Sequence, residues 1–328
     1  MLTNPAFKAL QRFVARHPDI AQATRIGVAF SGGADSTALL LAARAFWGPQ
    51  RLCALHVDHG LQAAAREFAR HSRDFCTQRD ITYIETQASV TPDPGQSVEQ
   101  EARNARYRAL AELALQSHCS IVLLAQHGDD QVESVLLALL RGAGPRGLAA
   151  MPERMQRGGC AFARPLLDCG AAELRAWLDR QGIRHVHDPM NADPAYRRSR
   201  IRHELLPVIA RLEPGYRQTL GRSAALCAAA DAGLQQRARE DLQRCIESNG
   251  LRLDDLRSLG PARAGEVLRL WLRDHGLRLD RARTDELVRQ VQQTDQGALR
   301  LQLHLPQARI VRRGALLVLE PGAAGVLP

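Results

Sequence analysis

The sequence offers little from which a metal cluster or a membrane-spanning segment could be built. It has no Cys-x-x-Cys pair and no tight cluster of cysteine and histidine. Zinc ribbons and iron–sulfur centres need such spacings, so both kinds of site are poorly supported. No apolar run reaches the length of a membrane span, and residues 1–16 lack the apolar stretch and cleavage site of a secretory signal. We therefore expect a cytoplasmic protein with reduced cysteines and no membrane partner.

Lysine and aromatic residues are also scarce. Lys8 is the only lysine, and aromatic residues make up 4% of the chain. The formal net charge is nevertheless +9, because arginine supplies nearly all of the positive charge. A basic surface attracts phosphate backbones, so the composition favours an anionic partner. With 328 residues, of which 45% are apolar and 24% charged, the chain is long enough for about two globular domains.

An apolar run passes directly into a glycine-rich turn at residues 26–37. The segment reads Ile-Gly-Val-Ala-Phe-Ser-Gly-Gly-Ala-Asp-Ser-Thr. It predicts a buried strand, a turn in which Gly32 and Gly33 let a ligand approach the backbone, and the first turn of a helix. Backbone N–H groups and the positive helix end would then point at one anion. The turn is neither a Walker loop nor a dinucleotide fingerprint. We interpret it as a phosphate-binding loop, against the alternative of a plain glycine-rich turn.

Short apolar segments and helical stretches alternate over the first 125 residues. The predicted strands cover 26–30, 52–57, 81–85 and 121–125, and the predicted helices cover 37–47, 63–79 and 97–117. This alternation predicts an α/β fold with a doubly wound parallel sheet. Ligands of such sheets bind at the carboxyl ends of the strands. Ser31, His56 and residues 126–130 all fall there.

The pattern changes twice in the later part of the chain. Glycine is abundant after Arg141, and we expect residues 141–161 to form a mobile active-site loop. Beyond Pro214 the sequence turns to long helices, and residues 299–305 alternate as a half-exposed strand. We therefore predict a catalytic domain at 1–214. A smaller, mainly helical α+β domain, with a helical linker, is predicted at 215–328.

A dense polar segment follows the fourth predicted strand. Residues 125–133 read Ala-Gln-His-Gly-Asp-Asp-Gln-Val-Glu and open a helix that we expect to continue to Leu140. Asp130 and Glu133 are three residues apart and therefore share one helix face. Carboxylates at this place suit Mg²⁺ bound to ATP phosphates, or an amine held near an electrophile. The alternative is a helix N-terminus with favourable acidic residues.

These motifs occur in the order found in a known family. Ser-Gly-Gly-Ala-Asp-Ser at 31–36 resembles the pyrophosphate loop (PP-loop) of the N-type ATP pyrophosphatases. With the motifs that follow it, the chain resembles the bacterial tRNA(Ile)-lysidine synthetase family from about residue 25 to 210. The further motifs are His56–Leu61, Glu101–Tyr107, His127–Glu133, Leu139–Gly142, Arg164–Leu167, His187–Asn191 and Tyr196–Pro207.

The resemblance implies a two-step reaction on the wobble cytidine of an isoleucine tRNA with the anticodon CAU. The cytosine C2 oxygen attacks the α-phosphorus of ATP and expels pyrophosphate. The ε-amine of free L-lysine then attacks C2 and expels AMP, which gives lysidine. Donors in the loop would stabilise the phosphates and Mg²⁺ would offset the developing charge. The oligomeric state stays open, with a homodimer as one option.

The resemblance also assigns roles to residues. Asp35, Asp130 and Glu133 are expected to act in catalysis, Asp35 as a ligand of the ATP-bound Mg²⁺ and the other two as ligands of lysine or metal. His127 is expected to be structural. ATP is expected to bind Ser31, Gly32, Gly33, Ala34, Asp35, Ser36, His56 and Val57.

Five arginines are candidates for contact with tRNA. They are Arg103, Arg106, Arg198, Arg200 and Arg202. For Arg103 and Arg106 the ATP phosphates are a second candidate target. For all five the plain alternative is a solvated, charged helix face.

The chain departs from the family pattern in two places. Ser199 stands where the pattern Arg-Asn-x-x-Arg has asparagine, so contacts made by that amide are lost or altered. Longer members carry a further C-terminal domain, for which we expect little room after Leu319. The second domain would then handle tRNA recognition with what remains.

Two rival functions stay open. A tRNA sulfur-transfer enzyme shares the phosphate loop and also adenylates a base, but such enzymes commonly use paired cysteines or an iron–sulfur cluster. A non-catalytic nucleotide- or RNA-binding module is the second. The carboxylates of Asp129, Asp130 and Glu133 argue against it, since they repel RNA unless they hold a cation or an amine.

Overall fold

The structure is a computed structural model that describes residues 4–58, 65–88, 98–186, 197–277, 279–293, 301–305 and 308–321. The chain divides into two compact units, residues 1–227 and 228–328. Several predicted features lie outside the described residues, among them His59, the motif His187–Asn191, and residues 299 and 300 of the predicted last strand.

The first unit is built on a six-stranded sheet with the order β3-β2-β1-β4-β6-β5. Strands β1 to β4 and β6 run parallel, and β5 pairs with β6 in the antiparallel sense. The central strand β1 is almost wholly buried, as an apolar strand covered on both faces must be. The strands are β1 Ile26–Ala29, β2 Leu52–Asp58, β3 Thr82–Gln87, β4 Ile121–Leu123, β5 Arg154–Arg157 and β6 Cys160–Ala163.

Helices cover both faces of this sheet. They are α1 Pro5–Arg16, α2 Pro18–Ala21, α3 Ala34–Trp47, α4 Ala65–Thr77, α5 Val98–Gln116, α6 Gly128–Leu139, α7 Pro145–Leu148, α8 Ala171–Arg180, α9 Arg197–Arg200 and α10 Leu206–Leu212, with a π-helical turn at Ile201–Leu205. Phe13, Leu40 and Trp177 belong to the core on one face, and Tyr107 and Phe162 to the core on the other. The predicted doubly wound α/β fold is confirmed, and its strands and helices begin and end within a few residues of the predicted positions.

The prediction of a mobile loop at residues 141–161 is wrong for much of that segment. It holds the short helix α7, and β5 and β6 form an antiparallel hairpin that extends the main sheet beyond β4. The alternation of Arg154–Arg157 was too short and too polar to indicate a strand. The strand forms because its backbone is hydrogen-bonded to β6, and the sequence of β5 alone does not indicate this pairing.

The second unit combines helices with an antiparallel sheet of order β7-β8-β11-β10-β9. Trp271, Leu268 and Leu287 pack with Ile310 and Leu317 into one core. This arrangement confirms the predicted smaller α+β architecture. Its elements are the end of α11 Tyr216–Cys245, α12 Leu253–Ser258, α13 Gly260–Asp274, α14 Arg281–Gln293, β7 Ile246–Glu247, β8 Gly250–Arg252, β9 Gln302–His304, β10 Ala308–Arg313 and β11 Leu316–Pro321.

The division between the two units falls inside the long helix α11, at residues 227 and 228. The predicted domain boundary at 214 and 215 precedes that helix and stays a prediction. Within the described ranges, no helix has both the length and the apolar character required to cross a membrane.

Candidate active site

The phosphate loop is held in shape by its own side chains. The hydroxyls of Ser31 and Ser36 lie 3.1 Å apart, and the Ser36 hydroxyl donates to the carbonyl of Gly33 at 3.0 Å. The backbone N–H of Gly33 donates to Ser31 Oγ at 3.3 Å. Gly33 is the N-cap of α3, and Ala34 begins the helix. The loop therefore presents the start of a helix to whatever binds at the carboxyl edge of β1, as a phosphate site requires.

Gly32 is the position in this loop where only glycine fits. Its φ of +77° lies in the left-handed region, and a Cβ there would stand 2.7 Å from Ser72 Oγ and 3.1 Å from Val186 Cγ2. The carbonyl of Gly32 also accepts from the backbone N–H of Val186 at 2.8 Å. The loop is thus supported from behind by α4 and by the segment after α8, neither of which the sequence pattern connected with it.

His56 and Val57 lie at the end of β2, beside the loop. The Nδ1–H of His56 donates to the carbonyl of Phe30 at 2.9 Å, and the imidazole is buried. Val57 is half-buried. Both residues stand where adjacent parallel strands end, which agrees with the prediction that they border a nucleotide, although the contact itself stays a prediction.

His127 joins the phosphate loop to the acidic segment. It is the N-cap of α6: its Nδ1 accepts from the N–H of Asp130, and its own N–H donates to Asp130 Oδ2 at 3.1 Å. Its Nε2 lies 3.4 Å from Asp130 Oδ2 and 3.6 Å from Asp35 Oδ2. One imidazole therefore connects two carboxylates that are almost a hundred residues apart in sequence.

The charge on His127 reflects these neighbours. Burial by itself would lower its pKa, but the carboxylates of Asp130 and Asp35 outweigh burial and raise it above its ordinary value. The sequence predicted a structural role for His127. The capping geometry agrees with such a role.

Asp35 has an oxygen that fits a cation. Its Oδ1 is buried without a hydrogen-bond partner, at the first turn of the helix that follows the phosphate loop. An orphaned carboxylate oxygen next to a phosphate cradle suits a magnesium ion that takes its other ligands from phosphate and water. In the described part of the chain, no group of three or more His, Cys, Asp or Glu side chains could hold a metal by itself.

Glu133 and Asp130 already face arginines. Glu133 is fully buried, and the Nε atoms of Arg198 and Arg202 each lie 2.6 Å from one of its carboxylate oxygens. Arg202 also lies 3.1 Å from Asp130 Oδ1. Two residues predicted to bind tRNA are thus paired with two residues predicted to bind lysine or metal. The alternative of a solvated charged face is wrong for Arg198 and Arg202.

Among the described residues, the other three predicted arginines make no ion pair with Asp130 or Glu133. Arg200 is exposed and pairs with Glu204 at 3.3 Å. Arg103 and Arg106 lie on α5, with their guanidinium carbons 5.5 Å and 5.9 Å from the ring centre of Tyr107. Burial lowers the pKa of Arg106. Ser199, which replaces the expected asparagine, follows Arg198 in the chain and is buried.

Asp129 has a role that sequence reasoning missed. One of its carboxylate oxygens accepts from Tyr216 Oη at 2.9 Å and from Arg217 Nε, and the other accepts from the N–H of Ala171 at 2.9 Å. It therefore ties the start of α6 to the start of α8 and of α11. The only signal in the sequence was a third carboxylate in the segment 129–133, with no indication of its partners.

We predict that Asp129→Asn loses about 2–3 kcal/mol of stability at neutral pH, because a buried charge-assisted network loses its acceptor. Burial alone would raise the pKa of Asp129, but bonds from Arg217, Ala171 and Tyr216 lower it. A lowered folded-state pKa adds stability above the unfolded pKa of about 3.9, and that stability is lost as the pH falls through the folded value. Urea unfolding at neutral and acid pH should therefore show the deficit of the variant shrinking in acid. Asp19→Asn, which removes the exposed partner of Arg154, is the control and should change stability by less than about 1 kcal/mol. An equal deficit at both pH values would contradict the ionic role of Asp129.

A parallel sheet that places a glycine-rich loop and a carboxylate at the start of the next helix defines a nucleotide-binding enzyme of the PP-loop class. The family described as PP-loop domain matches residues 3–209, which is more than half of the chain, so the chain belongs to it. The family described as TilS substrate binding domain matches residues 251–316. Among PP-loop proteins, the chain belongs to the tRNA(Ile)-lysidine synthase family, as its relatives establish.

The tRNA(Ile)-lysidine synthase of Polaromonas naphthalenivorans is 41% identical over 321 residues, covering 98% of this chain and 97% of the relative. That of Alkalilimnicola ehrlichii is 42% identical over 253 residues, covering 76% of this chain. The chain spans only 56% of this second relative and 58% of the enzyme from Burkholderia pseudomallei. The resemblance found in the sequence is confirmed.

The fold is shared with proteins of known structure. One of them is the U34-tRNA thiolase NcsA from Methanococcus maripaludis with its [4Fe-4S] cluster, with a TM-score of 0.57 and 14% identity. The alignment covers 68% of this chain and 78% of that one. At this identity the likeness concerns the fold alone.

Proposed function

We propose that this protein joins free L-lysine to C2 of the wobble cytidine of an isoleucine tRNA with the anticodon CAU, consuming ATP and releasing pyrophosphate and AMP. The observation that carries the proposal is the meeting of Asp35 and Asp130 at His127, which brings the phosphate loop and the acidic segment into one site. The type of reaction is inferred from the family to which the chain belongs.

The phosphate loop would bind ATP. The N-terminus of α3 and the hydroxyls of Ser31 and Ser36 offer donors to the phosphates. His56 and Val57 would border the adenosine, and Asp35 would hold Mg²⁺ through its unpartnered Oδ1. Magnesium there would offset the negative charge that develops as pyrophosphate leaves.

Asp130 is the better candidate for the ammonium group of lysine. Its side chain is 15% exposed, whereas that of Glu133 is fully buried between Arg198 and Arg202. We therefore propose that Asp130 contacts lysine and that Glu133 holds the two arginines in place. Arg103 and Arg106 remain proposed contacts to tRNA or to the ATP phosphates, and Arg198, Arg200 and Arg202 remain proposed contacts to tRNA. A homodimer remains one option for the chain.

Thiolation of tRNA is the rival function, since the fold also occurs in a thiolase. Six of the seven cysteines are buried, in both units, and Cys227 is half-buried. A sulfur-transfer mechanism needs accessible or clustered thiols. This distribution favours the ligase.

The test is incubation of the purified protein with ATP, Mg²⁺, radiolabelled lysine and unmodified isoleucine tRNA. Label in the tRNA and release of AMP are both scored. We expect lysine incorporation by the wild type and its loss in Asp35→Ala, with the fold of the variant checked by its melting temperature. AMP release without lysine transfer would point to another nucleophile, and inactivity of both proteins would overturn the proposal.

A further inference from the structure

Arg164 is a buried cation without a carboxylate partner in the described residues. It follows β6 and is 1% exposed. Its guanidinium donates to Gln126 Oε1 at 3.1 Å, to the carbonyl of Pro152 at 2.7 Å and to Tyr107 Oη at 3.0 Å, with Met155 Sδ at 3.3 Å. All of these partners are neutral, so its hydrogen bonds are satisfied while its charge is not offset.

One of these partners adjoins the candidate active site, and another lies among arginines that are proposed to contact tRNA or phosphate. Gln126 follows β4 and immediately precedes His127, the imidazole between Asp35 and Asp130. Tyr107 lies on α5 among the guanidiniums of Arg103 and Arg106. Arg103 and Arg106 also have no ion pair in the part of the chain that the structure describes. The carboxyl edge of β4 is therefore backed by positive charge.

The pKa of Tyr107 is affected by this positive charge. Burial alone would raise the pKa of its phenol, but Arg164, Arg103 and Arg106 outweigh burial and lower it. A protein normally pairs a buried charge, because an isolated one is costly. Because the hydrogen-bond partners of Arg164 are all neutral, an anionic ligand that binds nearby would offset its charge.

We propose that Arg164 is a positioning residue for polyphosphate: it fixes Gln126 and Tyr107 beside the active site, and its charge is offset by the triphosphate of bound ATP. The inference rests on the proposed function for the identity of this anion. Arg164 acts from behind the site, through these two side chains and through its field.

The first test measures ATP affinity by calorimetry in the presence of Mg²⁺ at low and moderate salt, and repeats it with inorganic pyrophosphate. Arg164→Gln, which keeps donors but removes the charge, should weaken both ligands about ten-fold, and Arg164→Lys should retain most of the affinity. Arg154→Gln, on the same hairpin but exposed, is the matched control and should leave affinity unchanged. In the lysine-transfer assay, Arg164→Gln should raise KM for ATP and leave KM for lysine unchanged.

A second variant separates charge from structure. Gln126→Glu places a carboxylate against Arg164, so it should keep or raise the melting temperature while it weakens ATP binding. The same change made in Arg164→Gln should weaken ATP binding less, because there is no charge left to neutralise. Additive effects in this double-mutant cycle would overturn the inference.

A spectroscopic readout does not depend on ligand or activity. Tyrosinate absorbance should show one tyrosine titrating below the ordinary value in the wild type. That step should vanish in Tyr107→Phe and move to higher pH in Arg164→Gln. A lower melting temperature in Arg164→Gln with unchanged ATP affinity would make the residue merely structural. Wild-type protein that binds ATP but transfers no lysine would overturn the proposed function and leave the role of Arg164 intact.

Discussion

Alanine in place of Gly32 is expected to lower lysine transfer by about 100-fold or more while the protein stays folded. At φ +77° a side chain costs about 1–2 kcal/mol, and the added Cβ would overlap Ser72 Oγ at 2.7 Å. Ser72 is fully buried on α4, so the loop itself must shift. A shift of about 1 Å at a reacting centre costs roughly 10²-fold in rate. The measurement is kcat/KM for ATP in the lysine-transfer assay, together with the melting temperature.

Gly182→Ala is the matched control for this prediction. Gly182 follows α8 with φ +63°, and an added Cβ there meets nothing within 4 Å. The control therefore suffers the backbone strain of a left-handed alanine without a collision in the phosphate loop. We expect Gly32→Ala to lose more stability than Gly182→Ala, because only Gly32→Ala adds a collision, and we expect only Gly32→Ala to lose activity. Equal activity of the two variants would mean that the loop tolerates displacement and that its close contact with Ser72 is unimportant.

The sequence predicted the position of this loop because the signal is local. A buried strand, two glycines and the first turn of a helix lie within twelve consecutive residues, and backbone chemistry fixes what they form. The support behind Gly32 could not be predicted. Ser72 and Val186 reach it from α4 and from the segment after α8, at sequence separations that no periodic pattern encodes.

The pairing of Arg198 and Arg202 with Asp130 and Glu133 could not be predicted from a sequence pattern either. The motif at 198–202 indicated a basic patch and the motif at 129–133 an acidic one, and each was interpreted alone. The structure puts them together, because α9 and the π-helical turn after it pack beside α6. A sequence shows how many charged residues the chain has, but the fold decides which of them form ion pairs. Among the described residues, Arg164 is a buried cation that has no carboxylate partner.

Replacing Glu133 by glutamine is expected to destabilise the protein by about 3–5 kcal/mol, the usual cost of removing one partner from a buried ion pair. Glu133 is fully buried, and each carboxylate oxygen accepts from an arginine. The amide would turn one acceptor into a donor that faces a guanidinium. For a unit of this size the melting temperature should fall by about 10 °C. Thermal unfolding measures the change directly.

The comparison with Asp130→Asn decides which carboxylate contacts lysine. Asp130 is partly exposed and shares Arg202 with Glu133, so its amide variant should lose less stability but raise KM for lysine more than that of ATP. Glu204→Gln, which removes the exposed partner of Arg200, is the surface control and should cost at most about 0.5 kcal/mol. If Glu133→Gln instead kept its melting temperature and lost lysine affinity, the buried carboxylate would be the lysine ligand, and Arg198 and Arg202 would have to move aside for the substrate. The proposed division of labour requires the opposite pattern, because an incoming ammonium can reach the partly exposed carboxylate of Asp130 but not the fully buried carboxylate of Glu133.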